Sequence, residues 1–94
     1  MRVVFGDRAN VLPVTSLKAM LGHCLGAAGA MEAAALALTI DRGCIPPTIH
    51  HDTTDPECPV DLVANSPREV RVPCAVSTSL AFGGNDSALV LKHV

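Results

Sequence analysis

Apolar positions are unevenly spread along this chain, and their pattern predicts one long helix set between short extended segments. From Gly22 to Arg42 the residues are mostly small and apolar, with Glu32 the only carboxylate before Asp41. A run of that length and composition reads as a helix. Gly43 supplies a stop directly after Arg42, a basic residue placed to suit the negative end of the helix dipole. Val11 to Thr15 reads as a short strand, interrupted by Pro13, that leads into the turn before the helix. Pro46 and Pro47 exclude helix from Ile45 to His50, which therefore reads as extended. His51 to Pro59 is a polar loop.

Further on, Val60 to Ala64 reads as a short edge strand. Pro73 to Phe82, apolar apart from Ser77-Thr78-Ser79, reads as a strand leading into the Gly83-Gly84 turn, and Ser87 to Lys92 returns as a final strand. The intervening Gly83-Gly84-Asn85-Asp86 makes an antiparallel hairpin the economical reading. The expected fold class is α/β, one buried Ala/Gly-rich helix packed on a mixed sheet that ends in an antiparallel hairpin. No repeat interrupts residues 1–94, which read as a single partial domain.

The helix has no broad polar face before Asp41, so almost its whole circumference calls for cover. Four or five short strands cannot easily provide it, and an additional covering surface is implied. Gly22-x-x-x-Gly26 and the 17 residues from Cys24 to Ile40 also raise a membrane helix. That reading fails, because a span needs roughly 20 strongly apolar residues and Ala and Gly insert weakly. Glu32 would also sit mid-span at a cost of about 3 kcal/mol.

Composition sharpens this picture. Of the 94 residues 49% are hydrophobic but only two are aromatic, so the apolar content is Ala, Val and Leu, suited to tight packing between layers. A chain of this size buries only roughly 60–65% of its unfolded surface, and its own core must be modest. The formal charge of −2, with the seven basic residues scattered, offers no attraction to nucleic acid. The first residues lack the apolar core and cleavage signal of a secretory peptide, so the expected compartment is the cytoplasm. Cys24, Cys44, Cys58 and Cys74 lie 20, 14 and 16 residues apart, without the close pairs of a zinc site, and read as reduced. Neither metal nor cofactor is expected.

Candidate chemistry gathers at the start of the helix. His23, placed there, meets free backbone N–H groups that disfavour an imidazolium. A neutral imidazole can donate its N–H to a carbonyl oxygen that gains negative charge; the alternative is a capping or core histidine. Lys18 could add positive charge to the same site or form a buried ion pair. Nine helical positions separate His23 from Glu32 by about 13.5 Å, on opposite faces, so they cannot touch. If Lys18 meets Glu32, the chain before the helix folds back along it. Gly83-Gly84 means a turn, or a place where backbone can approach a ligand closely.

In combination these residues resemble the C-terminal part of the β-ketoacyl-acyl-carrier-protein synthases, the elongating condensing enzymes of fatty-acid and polyketide synthesis. The likeness runs through Lys18, Gly22-His23, Gly26-Ala27-Ala28-Gly29, Glu32, Pro46 to Ile49 and Phe82-Gly83-Gly84, in order and spacing. It implies part of a thiolase-like fold and a decarboxylative Claisen condensation, in which an acyl group on a cysteine is attacked by the carbanion derived from a malonyl thioester. By that resemblance His23 binds the malonyl thioester carbonyl, Lys18 and Glu32 form a supporting charged pair, and Phe82 lies at the acyl pocket. Gly83 and Gly84 support the site. The implied partners are an acyl carrier protein bearing acyl and malonyl thioesters, the N-terminal synthase portion, and a second synthase subunit in a homodimer or heterodimer.

The resemblance has departures. The nucleophilic cysteine and the second catalytic histidine of the family have no motif in this chain, and Cys24 is no substitute beside His23 on a helix, where adjacent side chains diverge by about 100°. Leu80 and Ala81 stand where relatives often have an aromatic gate and a glycine. Asn85-Asp86 replaces Thr-Asn, and Leu21 replaces Thr. The leading expectation is a synthase segment that is inert alone. Two alternatives stand beside it: a non-catalytic partner of the chain-length-factor kind, and a small oligomerising α/β protein with no substrate.

Overall fold

The computed structural model describes residues 1–94. In chain order the elements are α1 (Arg2–Phe5), β1 (Pro13–Val14), α2 (Lys18–Leu21), α3 (Ala28–Arg42), β2 (Cys44–Ile45), β3 (Asp61–Leu62), β4 (Arg68–Glu69), β5 (Cys74–Ala81) and β6 (Asn85–Lys92). One main helix and one long antiparallel hairpin dominate, in keeping with the expected fold class. Two compact units divide these elements, one of residues 1–22 and 46–68, the other of residues 23–45 and 69–94.

The first unit is built on parallel pairing. Pro13 and Val14 of β1 stand opposite Asp61 and Leu62 of β3, so the segments expected around Val11–Thr15 and Val60–Ala64 pair with each other. The arrangement is extended by a parallel bridge between Thr48 and Ala64. Val63, only 2% exposed, donates its N–H to the Val14 carbonyl and accepts one from Thr48, at 2.9 and 2.8 Å. Burying that residue therefore leaves its backbone groups satisfied. The hydroxyl of Thr15 donates to the Pro46 carbonyl at 2.6 Å, and the Ser16 N–H donates to the Thr48 hydroxyl at 2.8 Å. Arg68 grips Asp61 through both guanidinium nitrogens, at 2.6 and 2.8 Å. This bidentate bond holds the Asp61 carboxyl below its ordinary range, against a smaller opposing effect of desolvation.

In the second unit α3 packs against the hairpin. The helix ends as its sequence requires, with Gly43 in the left-handed region (φ 63°, ψ 37°) and its N–H on the Thr39 carbonyl. Its beginning corrects the expectation of a helix from Gly22. The α-helix starts at Ala28, after a 3₁₀ turn at Leu25–Ala27, and Lys18–Leu21 forms a separate turn. Positive φ values explain the delay: Gly22 at 73° and Leu25 at 49° are both incompatible with a continuous right-handed helix.

The hairpin runs in register from Cys74 opposite Lys92 to Ala81 opposite Asn85. The connecting loop is Phe82-Gly83-Gly84, with the glycines at φ 83° and 79°. Asn85 and Asp86, expected in the turn, instead begin β6, because the two consecutive left-handed glycines already reverse the chain. Alternate residues of β5 turn Ala75, Ser77 and Ser79 towards partial cover and leave Cys74, Val76, Thr78 and Leu80 exposed.

Little of this chain is closed off from solvent. Ala9, Ile45, Val63 and Thr39 are the buried residues, and Thr39 is the only one of them in the fifteen-residue α3. The helix expected to be buried thus rests on the hairpin with most of its circumference open. No helix is long and apolar enough to cross a membrane.

Candidate active site

Lys18 opens the short helix α2, and Gly22 terminates it with φ 73° and ψ 177°, its N–H on the Lys18 carbonyl. A residue with a Cβ would be strained at that φ, so glycine is the natural residue to break the helix and turn the backbone into His23. Lys18 belongs to the first unit; His23 and Glu32 belong to the second.

His23 is exposed and lies outside any helix, five residues before α3. His23 therefore does not stand at the start of the α-helix, which corrects the sequence expectation. A main-chain contact meets its ring instead. The backbone N–H of Leu25 donates to His23 Nδ1 at 3.2 Å. A ring nitrogen that accepts an N–H carries no proton itself, so of the two neutral tautomers this bond favours the one with its proton on Nε2. That Nε2–H is an oriented donor suited to a carbonyl or enolate oxygen.

Leu25 is the residue that sequence reasoning missed here. It holds φ 49°, a region that costs a non-glycine residue about 1 kcal/mol. Its N–H, held in the peptide plane shared with Cys24, points back to the imidazole two residues earlier. No sequence signal marks it, because the donor is main chain and leucine is not a residue expected at positive φ. Cys24, half-buried, sits between them as the residue preceding the 3₁₀ turn and not on the α-helix.

Glu32 lies in the second turn of α3 and is half-buried. The hydroxyl of Ser77, from the hairpin face turned towards the helix, donates to Glu32 Oε2 at 3.5 Å. Ser79, two residues along β5, stands over Gly29, where a Cβ would lie 3.9 Å from the serine Oγ. The i, i+2 spacing of the strand thus meets the i, i+3 spacing of the helix through two hydroxyls. At the far end of the hairpin Phe82 is fully exposed, and Leu80 is 79% exposed.

The structure therefore joins His23 to Leu25 and Glu32 to Ser77. Phe82, Gly83 and Gly84 form the hairpin tip. No three or more His, Cys, Asp or Glu side chains gather where they could hold a metal ion, and all four cysteines are free thiols.

The family described as β-ketoacyl synthase, C-terminal domain, matches residues 1–52. The tetracenomycin polyketide synthase ketoacyl synthase alpha subunit of Streptomyces glaucescens is 51% identical over 88 residues, covering 94% of this chain and 21% of that protein. The 3-oxoacyl-[acyl-carrier-protein] synthase 2 of Staphylococcus aureus is 48% identical over 88 residues, covering 94% and 22%. Among solved structures, a type II polyketide synthase acyl-carrier protein in complex with its ketosynthase bound to the hexaketide superposes with a TM-score of 0.95 at 38% identity, covering 99% of this chain and 23% of that one. The chain thus spans about a fifth of the length of the relatives it matches.

Proposed function

The chain belongs to the family of β-ketoacyl synthase C-terminal domains, and we propose that it supplies the malonyl-binding part of a condensing-enzyme active site, working as a single domain joined to an upstream portion that carries the nucleophilic cysteine and a second histidine. In that setting the acyl chain is held as a thioester on the cysteine. Loss of carbon dioxide from the malonyl thioester leaves its electron pair as an enolate. The enolate carbon attacks the acyl carbonyl, a carbon–carbon bond forms, and the cysteine leaves as thiolate.

His23 is the residue of this chain assigned to the reacting atoms. Its Nε2–H donates to the malonyl thioester carbonyl and holds the negative charge that develops there, an effect typically worth about 3 kcal/mol. The observation that carries the assignment is the Leu25 N–H on Nδ1, which leaves Nε2 as the donor. Lys18 and Glu32 are the supporting charged residues, and Phe82 with Gly83 and Gly84 contributes to the acyl pocket. The thioesters arrive on an acyl carrier protein, the synthase acts as a dimer of like or related subunits, and its compartment is the cytoplasm. Relatives named as a polyketide synthase ketoacyl synthase subunit and as a 3-oxoacyl-[acyl-carrier-protein] synthase match at similar identity, so the condensation step is the shared reading.

Grafting residues 1–94 in place of the matching fifth of the Streptomyces relative tests this. Replacing His23 by Ala in that chimera is expected to lower condensation about 10²–10³-fold while the cysteine still takes up an acyl group, seen by intact mass. Unchanged condensation would overturn the assignment.

A further inference from the structure

We infer that Ser77 is a positioning residue of this site: its hydroxyl holds the Glu32 carboxylate in place from the neighbouring strand. The inference rests on the reading of Glu32 as a supporting site residue. Three features carry it. Ser77 donates to Glu32 Oε2, and both residues are half-buried, where a hydroxyl–carboxylate bond is less diluted by water than on an open surface. The residue sits in the middle of β5, opposite Leu89, in a fully paired ladder of eight residues per strand, so the strand gives the hydroxyl a fixed origin. Glu32 is equally fixed, since it projects from the second turn of a fifteen-residue helix.

The adjacent pair explains why the serine reaches the acid at all. Gly29, one helical turn before Glu32, presents no side chain to the hairpin, and the Ser79 hydroxyl stands over it. Close approach at Gly29 brings β5 near enough for Ser77 to span to Glu32. A carboxylate in a helix has several rotamers of similar energy, and a donor on a second rigid element selects one of them. Ser77 acts through Glu32 and touches no reacting atom. At 3.5 Å the bond is long, so the effect is modest.

The test uses the same chimeric synthase and compares Ser77→Ala, Ser77→Thr and His23→Ala. The expected result is a fall of about fivefold in kcat/KM for the malonyl thioester in Ser77→Ala, recovery to near the parent value in Ser77→Thr, and unchanged melting temperatures for both. Equal activity of Ser77→Ala and parent, with His23→Ala inactive, would overturn the role of Ser77 and leave the proposed function standing. Loss in Ser77→Ala that Ser77→Thr fails to recover, with a lowered melting temperature, would also overturn it, since that marks packing alone. A fully active His23→Ala would instead remove the reading on which the inference rests.

Discussion

His23 and Leu25 are joined by a hydrogen bond from the main-chain N–H of Leu25 to the imidazole Nδ1, 3.2 Å long, and the donor sits in a left-handed conformation. Because the contact uses backbone, the leucine side chain is dispensable to it. Leu25→Gly should keep the bond and the activity of the assembled synthase while raising stability by about 1 kcal/mol, since glycine adopts positive φ without strain. Urea denaturation with the condensation assay checks both halves. A loss of stability would mean that the exposed side chain is covered in the assembled enzyme.

The hairpin tip gives a second expectation. Gly84 holds φ 79°, and nothing lies within 4 Å of where a Cβ would stand, so the cost of a side chain there is backbone strain alone. Gly84→Ala should destabilise by about 1–2 kcal/mol. Gly84→Asn should cost less, because asparagine visits the left-handed region more readily. The difference between the two midpoints is the measurement.

Acid should weaken the grip of Arg68 on Asp61. The folded-state pKa of Asp61 is lowered, first by the Arg68 hydrogen bonds and also by its charge. A depressed carboxyl contributes stability that is fully present above its unfolded pKa and lost as pH falls through the folded value. Unfolding midpoints should therefore drop below about pH 4 in the parent, and the drop should be shallower in Asp61→Asn. Both side chains are partly exposed, so the effect is small and should shrink further in high salt.

Gly29 offers a contrast. It is helical, and a Cβ there would make only ordinary contact with Ser79. Within this chain Gly29→Ala should gain about 0.5–1 kcal/mol from helix propensity. If the same change destabilises the assembled synthase, a surface outside residues 1–94 presses against the helix at this point. Calorimetry on both forms separates the outcomes.

Local structure was legible in the residues. The helix stop at Gly43, the two hairpin strands and the order of Lys18, His23, Glu32 and Phe82-Gly83-Gly84 all rest on neighbours in the chain. What stayed hidden depended on distant partners or on main-chain geometry. The parallel pairing of Pro13 with Asp61 joins segments that carry no shared local signal. Ser77 meets Glu32 across 45 positions, beyond the reach of any periodicity. The helix start was misplaced because Leu25 adopts a conformation that its side chain disfavours.

The chain passes from one compact unit to the other three times, after Gly22, Ile45 and Arg68. A nick or a stop codon therefore cannot release either unit whole. Ending at Ile45 would strip β1 of its partner β3 and α3 of the hairpin, while starting at Pro46 would keep the hairpin and discard the helix that rests on it. Recombination inside this segment faces the same obstacle, so exchange between related synthases is expected to preserve it as one indivisible cassette.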